Sequence, residues 1–396
     1  MARIKQLRVS TPQGDSGDLL KDSRYVFNYS AGEPAQAISL TMPIRAESYS
    51  SGALLPIFEM NRPEGYLLAK IEEIFAKAGP LDDMGLLHLA GGRQIGRLSY
   101  AIPDAPVERP PAQISREELL SRQPTADLFD DLVAVYFGSG ISGVQPKVLI
   151  PDRTTLAYSN LIVKASGGEF PHLTQNEYLC MSAARRAGLE VPQFWLSEDG
   201  GLFVVERFDL TGDSVLGFED MTVLMNRPAR EKYRGSYEGI AKAIQLYCAD
   251  GDPLRQLQSF YEYVCLIVMT RNGDGHLKNF GLLYTHPDDR ASIRLAPLFD
   301  VVTTSIYAMS ETTSGITKYD RTLALNLAKS RQYPDRATLL EFGRGICQVR
   351  HPEGVIERIA GAMSDALREE KERVPAELHG RLSREWDEGR QVAVSH

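Results

Sequence analysis

Three polar residues in the second half of the chain have the types and spacing of a phosphotransfer centre. Asp274 and Asn279 are spaced D-x-x-x-x-N in NGDGHLKNF, and Asp300 ends the apolar run RLAPLF, which we predict to be a buried strand. This spacing lets one loop present a carboxylate to an attacking hydroxyl group and a neutral amide oxygen to a magnesium ion. The sequence therefore predicts Asp274 as the catalytic base and Asn279 and Asp300 as ligands of Mg²⁺.

Each of these residues also has a structural interpretation. Asp274 alternatively forms an Asx turn in the Gly-rich loop Asn272–Gly275. We group His276 with the ATP-binding residues, although a histidine in such a loop is more often held by hydrogen bonds than used as a base. Lys278 is either a solvated charge or a cation that neutralises charge on the transferred phosphoryl group.

Upstream elements follow in the order that a kinase requires. In the loop GSGISG, residues 138–143, Gly140 and Gly143 lack side chains, so the backbone can approach phosphate oxygens closely. Lys147, on the next strand, is equally consistent with a phosphate contact and with an ordinary strand-edge lysine. Glu206 and Phe208 end the apolar strand LFVVERFD, where backbone groups can read an adenine edge.

Lys164 follows the apolar run NLIV, so its ammonium group emerges from a buried strand, where an unpaired charge is costly. A nucleotide phosphate and Glu177 are its natural partners. Glu177 has a second interpretation, because Thr174 followed by Glu177 matches a capping box at the start of a helix that ends at Gly188. Both roles are compatible with the same position.

The elements that must position these residues predict an α+β, bilobal protein-kinase-like fold. A proline-rich segment, residues 102–115, separates a small N-terminal unit from the rest of the chain. Within this unit we predict a helix over 64–78 and two short strands within 85–100. A helix over 126–137 and several strands then form a mixed α/β lobe, and helical periodicity dominates afterwards. The predicted units are residues 1–110, 111–208 and 209–396, the last being the mostly helical C-terminal lobe.

Composition excludes several classes of protein. The chain has 396 residues, of which 43% are hydrophobic and 24% charged, as in globular proteins. A net charge of -8 provides no reason to bind nucleic acid without a partner. The four cysteines form no CxxC pair and are expected to be buried thiols. No apolar signal segment or membrane span is visible, so we expect a cytoplasmic protein without a membrane partner.

Several motifs together resemble the HipA family, the serine/threonine kinase toxins of bacterial toxin–antitoxin operons. The resemblance covers nearly the whole chain and implies an additional N-terminal subdomain, here residues 1 to about 110, on a kinase fold. The motifs are SGVQPK (142–147), NLIVK (160–164), NEYLCM (176–181), VVERFD (204–209), NGDGHLKNF (272–280), LFD (298–300) and HGRLSREW (379–386).

The resemblance implies the same roles for Asp274, Asn279, Asp300 and Lys164, with Glu206 and Phe208 at the adenine hinge. It further implies a HipB-like helix-turn-helix antitoxin, which inhibits the toxin and contacts operator DNA for both chains. The implied substrate is an aminoacyl-tRNA synthetase, whose phosphorylation arrests growth.

The phosphate loop departs from the family pattern. Many members carry an autophosphorylated serine where the commonest alignment places Gly140 in this chain. If autophosphorylation occurs here, we expect it at Ser142, because a phosphate there would compete with ATP. The alternative is a serine that only shapes the turn. Two further functions also fit the catalytic residues: a kinase acting on a lipid or small molecule, and a catalytically silent co-repressor subunit.

Overall fold

The computed structural model describes residues 4–62, 68, 81–91, 94–103, 116–121, 147–150, 160–166, 170–212, 214–310 and 317–394. The helices predicted over residues 64–78 and 126–137, and the loop 138–143 with Ser142 and Gly143, lie outside the described residues. For Lys147–Ile150 only the backbone is described.

The N-terminal unit is built on a five-stranded antiparallel sheet in the order β4-β3-β2-β1-β5. Its strands are β1 (Gln6–Thr11), β2 (Gly14–Lys21), β3 (Tyr25–Tyr29), β4 (Tyr49–Ser51) and β5 (Ser99–Ala101). Alternate residues of β1, including Leu7 and Val9, enter the core because side chains alternate between the faces of a strand. Short helices follow at α1 (Pro56–Met60) and α2 (Asp83–Ala90). Helix α3 (Arg116–Ser121) lies beyond the proline-rich segment, and its Leu120 carbonyl accepts from the Glu198 N–H at 3.0 Å.

The prediction of two short strands within residues 85–100 is wrong in its first half. Residues Asp83–Ala90 form α2, and among the described residues of this stretch the one strand is Ser99–Ala101. The side chain of Asp82 caps this helix by accepting a hydrogen bond from the Gly85 N–H at 3.0 Å. Met84 and Leu87, three residues apart, are fully buried, which is helical spacing.

A second antiparallel sheet, of order β6-β7-β9-β8, forms the mixed α/β lobe. Its strands are β6 (Lys147–Ile150), β7 (Leu161–Ala165), β8 (Phe194–Leu196) and β9 (Leu202–Glu206). The strands predicted from KVLIP, NLIVKAS and LFVVERFD are thereby confirmed. The sheet packs against α4 (Leu173–Arg186), which shares its apolar core.

Helix α4 begins differently from the prediction. Its N-cap is His172, which has a positive φ of 60°, so Thr174 lies inside the first turn. The Thr174 hydroxyl donates to the Gly200 carbonyl at 2.7 Å, and the predicted capping box with Glu177 is therefore wrong. The predicted end is confirmed, because Gly188 adopts φ 73° just beyond the helix.

The C-terminal lobe is mostly helical, as predicted. Its helices are α5 (Met221–Leu224), α6 (Tyr237–Tyr247), α7 (Pro253–Met269), α8 (Arg336–Glu341), α9 (Pro352–Glu369) and α10 (Ala376–Gly389). Short strands are β10 (Leu210–Thr211), β11 (Ser214–Val215), β12 (Gly217–Asp220), β13 (Gly281–Tyr284), β14 (Arg294–Leu295), β15 (Ala308–Ser310), β16 (Thr317–Tyr319), β17 (Thr322–Leu327) and β18 (Ser330–Gln332). The buried strand predicted over residues 294–299 is wrong beyond its first two residues: β14 ends at Leu295, so Asp300 lies in a loop and not directly after a strand.

The N-terminal unit packs on the C-terminal lobe through a shared apolar core. Leu7 and Phe58 belong to the same buried cluster as Phe218 and Leu283 of strands β12 and β13. At this interface the buried Glu219 carboxylate accepts hydrogen bonds from the Ser39 hydroxyl (2.8 Å), the Leu40 N–H (2.7 Å) and the Tyr284 hydroxyl (2.5 Å). The sheet of the N-terminal unit is therefore joined to the lobe that carries the candidate site.

Two predictions about the rest of the chain can be compared with the structure. All four cysteines are free and buried, as expected. Among the helices that the structure describes, none combines the length and the apolar character needed to cross a bilayer.

Candidate active site

Lys164 is the centre of a buried ionic cluster. Strand β7 places its side chain inside the lobe, where only 6% of it is exposed. Its ammonium nitrogen lies 2.5 Å from Glu177 Oε1, on α4, and 2.8 Å from Asp300 Oδ1. One cation therefore joins the strand, the helix and the loop that follows β14.

The two carboxylates keep Lys164 charged despite its burial. Burial alone would lower the pKa of this lysine, but Asp300 and Glu177 outweigh that effect and raise it above its usual value. A buried charge is tolerated only when it is paired and hydrogen-bonded, and here both conditions hold. The side chain of Asp300 is 26% exposed, so this end of the cluster remains open to a ligand.

Asn279 and Asp300 are brought together by two loops. Asn279 ends a short 3₁₀ turn, Leu277–Asn279, and its Nδ2 donates to Asp300 Oδ2 at 3.0 Å. Asp300 has a positive φ of 61°, a strained conformation for a residue other than glycine. Such strain persists where the surrounding contacts hold it, and the contacts with Lys164 and Asn279 do so at both carboxylate oxygens.

The donor set fits a magnesium ion. Mg²⁺ prefers oxygen ligands and is commonly held by one or two carboxylates together with substrate phosphates. Asp300 offers a carboxylate, whereas the Oδ1 atom of Asn279 accepts from the His276 N–H at 3.1 Å. Binding a metal between the two residues requires the Asn279 amide to turn so that its oxygen faces Asp300. Among the described residues no cluster of three His, Cys, Asp or Glu side chains forms a different metal site.

The loop that carries Asp274 follows α7, and hydrogen bonds fix its backbone. Asn272 Oδ1 accepts from the Asp274 N–H at 2.9 Å, so Asn272 makes an Asx turn in this loop. The Gly273 N–H donates to the Thr304 hydroxyl at 2.6 Å. A Cβ atom on Gly273 would lie 2.7 Å from the Thr322 carbonyl oxygen, so only glycine fits there.

This geometry leaves the Asp274 side chain 43% exposed, at the surface of the site. Its Oδ1 atom accepts a hydrogen bond from the Tyr233 hydroxyl at 2.7 Å. Sequence reasoning did not identify Tyr233, because it precedes the loop by 41 residues and belongs to no spacing pattern with Asp274. The order of the motifs along the chain also gives no indication that Tyr233 lies beside Asp274.

His276 is buried beside Asp274. Its Nε2 atom lies 3.9 Å from Asp274 Oδ1. Burial, reinforced by the charge of Lys232, lowers the pKa of His276 to about 3, so the imidazole is neutral at physiological pH.

Lys278 is also buried, which excludes its interpretation as a solvated loop charge. Burial raises the pKa of Asp220, and the charge of Lys278 opposes that shift. Lys278 therefore acts electrostatically on the N-cap of α5, where the Asp220 side chain accepts from the Thr222 N–H at 2.8 Å.

Glu206 and Phe208 lie where β9 leaves the mixed lobe. The Glu206 N–H donates to the Gln193 carbonyl at 2.8 Å, so that amide is used by the sheet. The Phe208 ring stacks on Phe299 with centroids 5.2 Å apart. Because Phe299 precedes Asp300, this contact couples the predicted adenine hinge to the predicted metal ligand.

Sequence reasoning missed a buried ion pair that joins the segment around Glu206 and Phe208 to the N-terminal unit. The Arg207 guanidinium contacts Asp209 at 2.6 and 3.0 Å and also donates to the Gln94 carbonyl at 2.9 Å. Asp209 accepts from the Gly96 N–H at 2.7 Å. The hinge region is thus anchored to the segment that leads into β5.

Two predicted phosphate contacts cannot be placed in this geometry. Lys147 is the register partner of Lys164 in neighbouring strands, but its side chain lies outside the described residues. Gly143 and Ser142 lie outside them as well.

Two protein-family models match the chain, one in its N-terminal part and one in the remainder. The model described as HipA N-terminal domain matches residues 7–101. The model described as HipA-like C-terminal domain matches residues 139–369, which is more than half of the chain.

Individual relatives are described as kinases. A Haemophilus influenzae protein described as "Putative kinase" is 29% identical over 223 residues, covering 50% of this chain and 60% of the relative. "Putative kinase Y4mE" of Sinorhizobium fredii is 26% identical over 296 residues, covering 68% of this chain and 69% of the relative. The chain therefore matches only about three fifths of the length of the first relative.

A solved structure is similar along the whole chain. It is described as the Shewanella oneidensis MR-1 toxin–antitoxin system HipA, HipB and its operator DNA complex, with a TM-score of 0.68 and 19% identity. The match covers 98% of this chain and 100% of the solved chain. The chain belongs to the HipA family and has its bilobal, kinase-like α+β fold.

Proposed function

We propose that the chain is an ATP- and magnesium-dependent serine/threonine protein kinase and the toxin of a toxin–antitoxin pair. One observation carries the proposal: the exposed Asp274 carboxylate shares a loop with Asn279, which contacts Asp300, and Asp300 pairs with the buried Lys164. A base, two oxygen ligands and a phosphate-binding cation thus form one connected cluster, which is the set of groups that phosphoryl transfer requires.

In this mechanism Asp274 accepts the proton of the acceptor hydroxyl group while the hydroxyl oxygen bonds to the γ-phosphorus of ATP. The bond from that phosphorus to the β,γ-bridging oxygen breaks, and its electron pair leaves with ADP. Lys164 binds a phosphate oxygen. Asn279 and Asp300 would hold Mg²⁺, which when bound neutralises charge on the phosphates.

The remaining predicted contacts complete the nucleotide site. Glu206 and Phe208 are proposed to bind adenine, and Gly143 and Lys147 to contact phosphates. Ser142 is the proposed position of autophosphorylation. The stacking of Phe208 on Phe299 supports a shared response of the hinge and the metal loop to nucleotide.

A HipB-like antitoxin is the proposed partner, and operator DNA is contacted only through it. The similarity to a solved complex of HipA, HipB and operator DNA supports this proposal. The net charge of -8 supports it as well, because the chain by itself has little attraction for a polyanion. The proposed substrate is an aminoacyl-tRNA synthetase, in the cytoplasm.

The test is phosphotransfer from γ-labelled ATP in a cell lysate that is afterwards separated into protein, lipid and small-molecule fractions, with labelled proteins identified by mass spectrometry. Asp274→Asn should reduce labelling about 10²- to 10⁴-fold, since it removes the base and little volume. Asp250→Asn is the matched control, because Asp250 is exposed and makes only a surface pair with Arg290.

A labelled synthetase band that requires Asp274 supports the whole proposal. Label that appears only in a lipid or small-molecule fraction would replace it with the small-molecule kinase. ATP binding without any transfer, together with intact operator binding by the antitoxin complex, would replace it with the silent co-repressor.

A further inference from the structure

Tyr233 covers the proposed base from the solvent side. Its hydroxyl donates to Asp274 Oδ1 at 2.7 Å, although the tyrosine is 37% exposed and the aspartate side chain 43% exposed. Both groups are thus open to solvent, yet each has the other as a partner. An acceptor hydroxyl group has to donate to this same carboxylate before its proton can be transferred.

The position of Tyr233 is fixed from three sides. The Arg331 guanidinium donates to the Tyr233 main-chain carbonyl. The Leu277 N–H, on the catalytic loop, donates to the carbonyl of the neighbouring Lys232 at 3.1 Å. The Tyr233 ring also meets His276 edge to face, with centroids 5.0 Å apart. These contacts place the phenol over the base more firmly than a surface tyrosine would otherwise be held.

We propose that Tyr233 is a gating residue: its hydroxyl occupies Asp274 in the free enzyme, and an acceptor hydroxyl must displace it. This inference rests on the proposed phosphotransfer function. The hydroxyl of Tyr233 competes with each incoming donor for Asp274 Oδ1, so weakly bound donors such as water are excluded. A serine or threonine on a protein segment that also packs against the phenol ring supplies enough binding energy to displace it.

Hydrolysis is the reaction that the gate suppresses. When water reaches Asp274, one of its protons passes to the carboxylate and its oxygen bonds to the γ-phosphorus. The bond to the bridging oxygen then breaks, which produces phosphate and ADP. Removing the Tyr233 hydroxyl while keeping the ring should therefore increase ATP hydrolysis and leave ATP binding unaffected.

The experiment measures release of labelled phosphate by the purified full chain with Mg²⁺ and ATP, with water as the only acceptor. Tyr233→Phe should raise kcat for hydrolysis about threefold to tenfold, the effect of losing one competing hydrogen bond between solvent-exposed groups. The KM for ATP should stay within about twofold, since the substitution keeps the ring and its contact with His276 and removes only the hydroxyl group that faces Asp274. Tyr233→Ala should raise hydrolysis at least as much.

Tyr49→Phe is the matched control. It also removes one tyrosine hydroxyl, which donates to the Pro43 carbonyl at 2.6 Å in the N-terminal unit, far in sequence from the site. Its hydrolysis should equal that of the wild type. Thermal unfolding of all variants identifies any that are misfolded.

The outcomes separate the gate from the proposed function. Hydrolysis that is unchanged or lowered in Tyr233→Phe overturns the gate, because the tyrosine would then have no role or would assist Asp274. Hydrolysis that persists in Asp274→Asn at the wild-type rate defeats the proposed function itself. A rise in Tyr233→Phe that disappears in Tyr233→Phe/Asp274→Asn supports both.

Discussion

Asn279 Nδ2 lies 3.0 Å from Asp300 Oδ2, although the two residues are 21 positions apart on different loops. The other oxygen of the same carboxylate contacts Lys164 at 2.8 Å. Asp300 is thus the point at which the loop that carries Asp274 and Asn279 meets the buried cation of the mixed lobe. Changes at this carboxylate should affect nucleotide binding first.

Asp300→Asn should weaken ATP binding mainly in the presence of magnesium. The substitution removes the charge that pairs with Lys164 and the carboxylate that would hold the metal, so the Mg²⁺-dependent gain in affinity should fall at least about tenfold. Isothermal titration with and without Mg²⁺ measures this gain, and Asp250→Asn is the control. An undiminished gain in Asp300→Asn would rule out its role as a ligand.

Lys164→Met should destabilise the fold strongly. It leaves the buried Glu177 carboxylate without its cation, and breaking a buried pair from one side costs about 3–5 kcal/mol. Lys164→Met/Glu177→Gln should recover at least half of that loss, because the carboxylate that then remains, Asp300, is 26% exposed and can be solvated. Urea unfolding gives the free energies.

The control for that experiment is the exposed pair of Arg290 with Asp250, where Arg290→Met should cost less than about 1 kcal/mol. Equal instability of the single and double variants at Lys164 would show that packing, and not the unpaired charge, dominates there.

Glu219 should make stability depend on pH. Burial raises the pKa of this carboxyl to about 7, against 4.5 in its unperturbed state, although three hydrogen-bond donors oppose the shift. The folded protein therefore binds more protons than the unfolded chain between these values. The stabilisation that comes from this raised pKa is fully present below about pH 4.5 and is lost as the pH rises to about 7. The free energy of unfolding should therefore fall by about 3 kcal/mol over this range.

Comparison of the wild type with Glu219→Gln isolates this effect. The amide can keep an acceptor towards Leu40, and the Ser39 hydroxyl can reorient to accept from it. The difference in unfolding free energy between the two proteins should shift in favour of Glu219→Gln as the pH rises from 5 to 8. A difference that stays constant over this range would show that Glu219 does not titrate there.

Gly273→Ala should disrupt the catalytic loop. An added Cβ would lie 2.7 Å from the Thr322 carbonyl and 2.9 Å from the Thr304 hydroxyl, so the backbone beside Asp274 must move. A displacement of this kind should lower phosphotransfer about 10²-fold. Gly361→Ala is the matched control, because its Cβ meets open space within α9, and it should leave activity unchanged. Normal transfer by Gly273→Ala would show that the loop position is not critical.

Patterns within one element were readable from the sequence alone. Apolar periodicity predicts strand β7 and the helical lobe. The end of α4 follows from one glycine, Gly188, which readily adopts the positive φ found just beyond the helix. The D-x-x-x-x-N spacing of Asp274 and Asn279 belongs to the same class, because both residues lie on one short loop. The need of Lys164 for a negative partner also follows from local information, since it ends a buried apolar run.

Errors arose where local signals competed. The glycines within residues 85–100 suggested strand boundaries, but the Asp82 cap and the buried pair Met84 and Leu87 produce a helix. Thr174 and Glu177 matched a capping box, yet the helix begins earlier, and burial of Lys164 recruits Glu177 to the ionic cluster instead. Tertiary burial thus outweighed a capping preference of about 1 kcal/mol.

Only the tertiary structure decided which distant groups meet. Asp300 is 136 residues from Lys164, Tyr233 is 41 from Asp274, and Glu219 is 180 from Ser39. Sequence spacing reports on neighbours within a few turns of chain, whereas these contacts depend on how helices and sheets pack around the core. The sequence by itself determined which residue types could transfer a phosphoryl group, and packing determined their partners, their exposure and their charge.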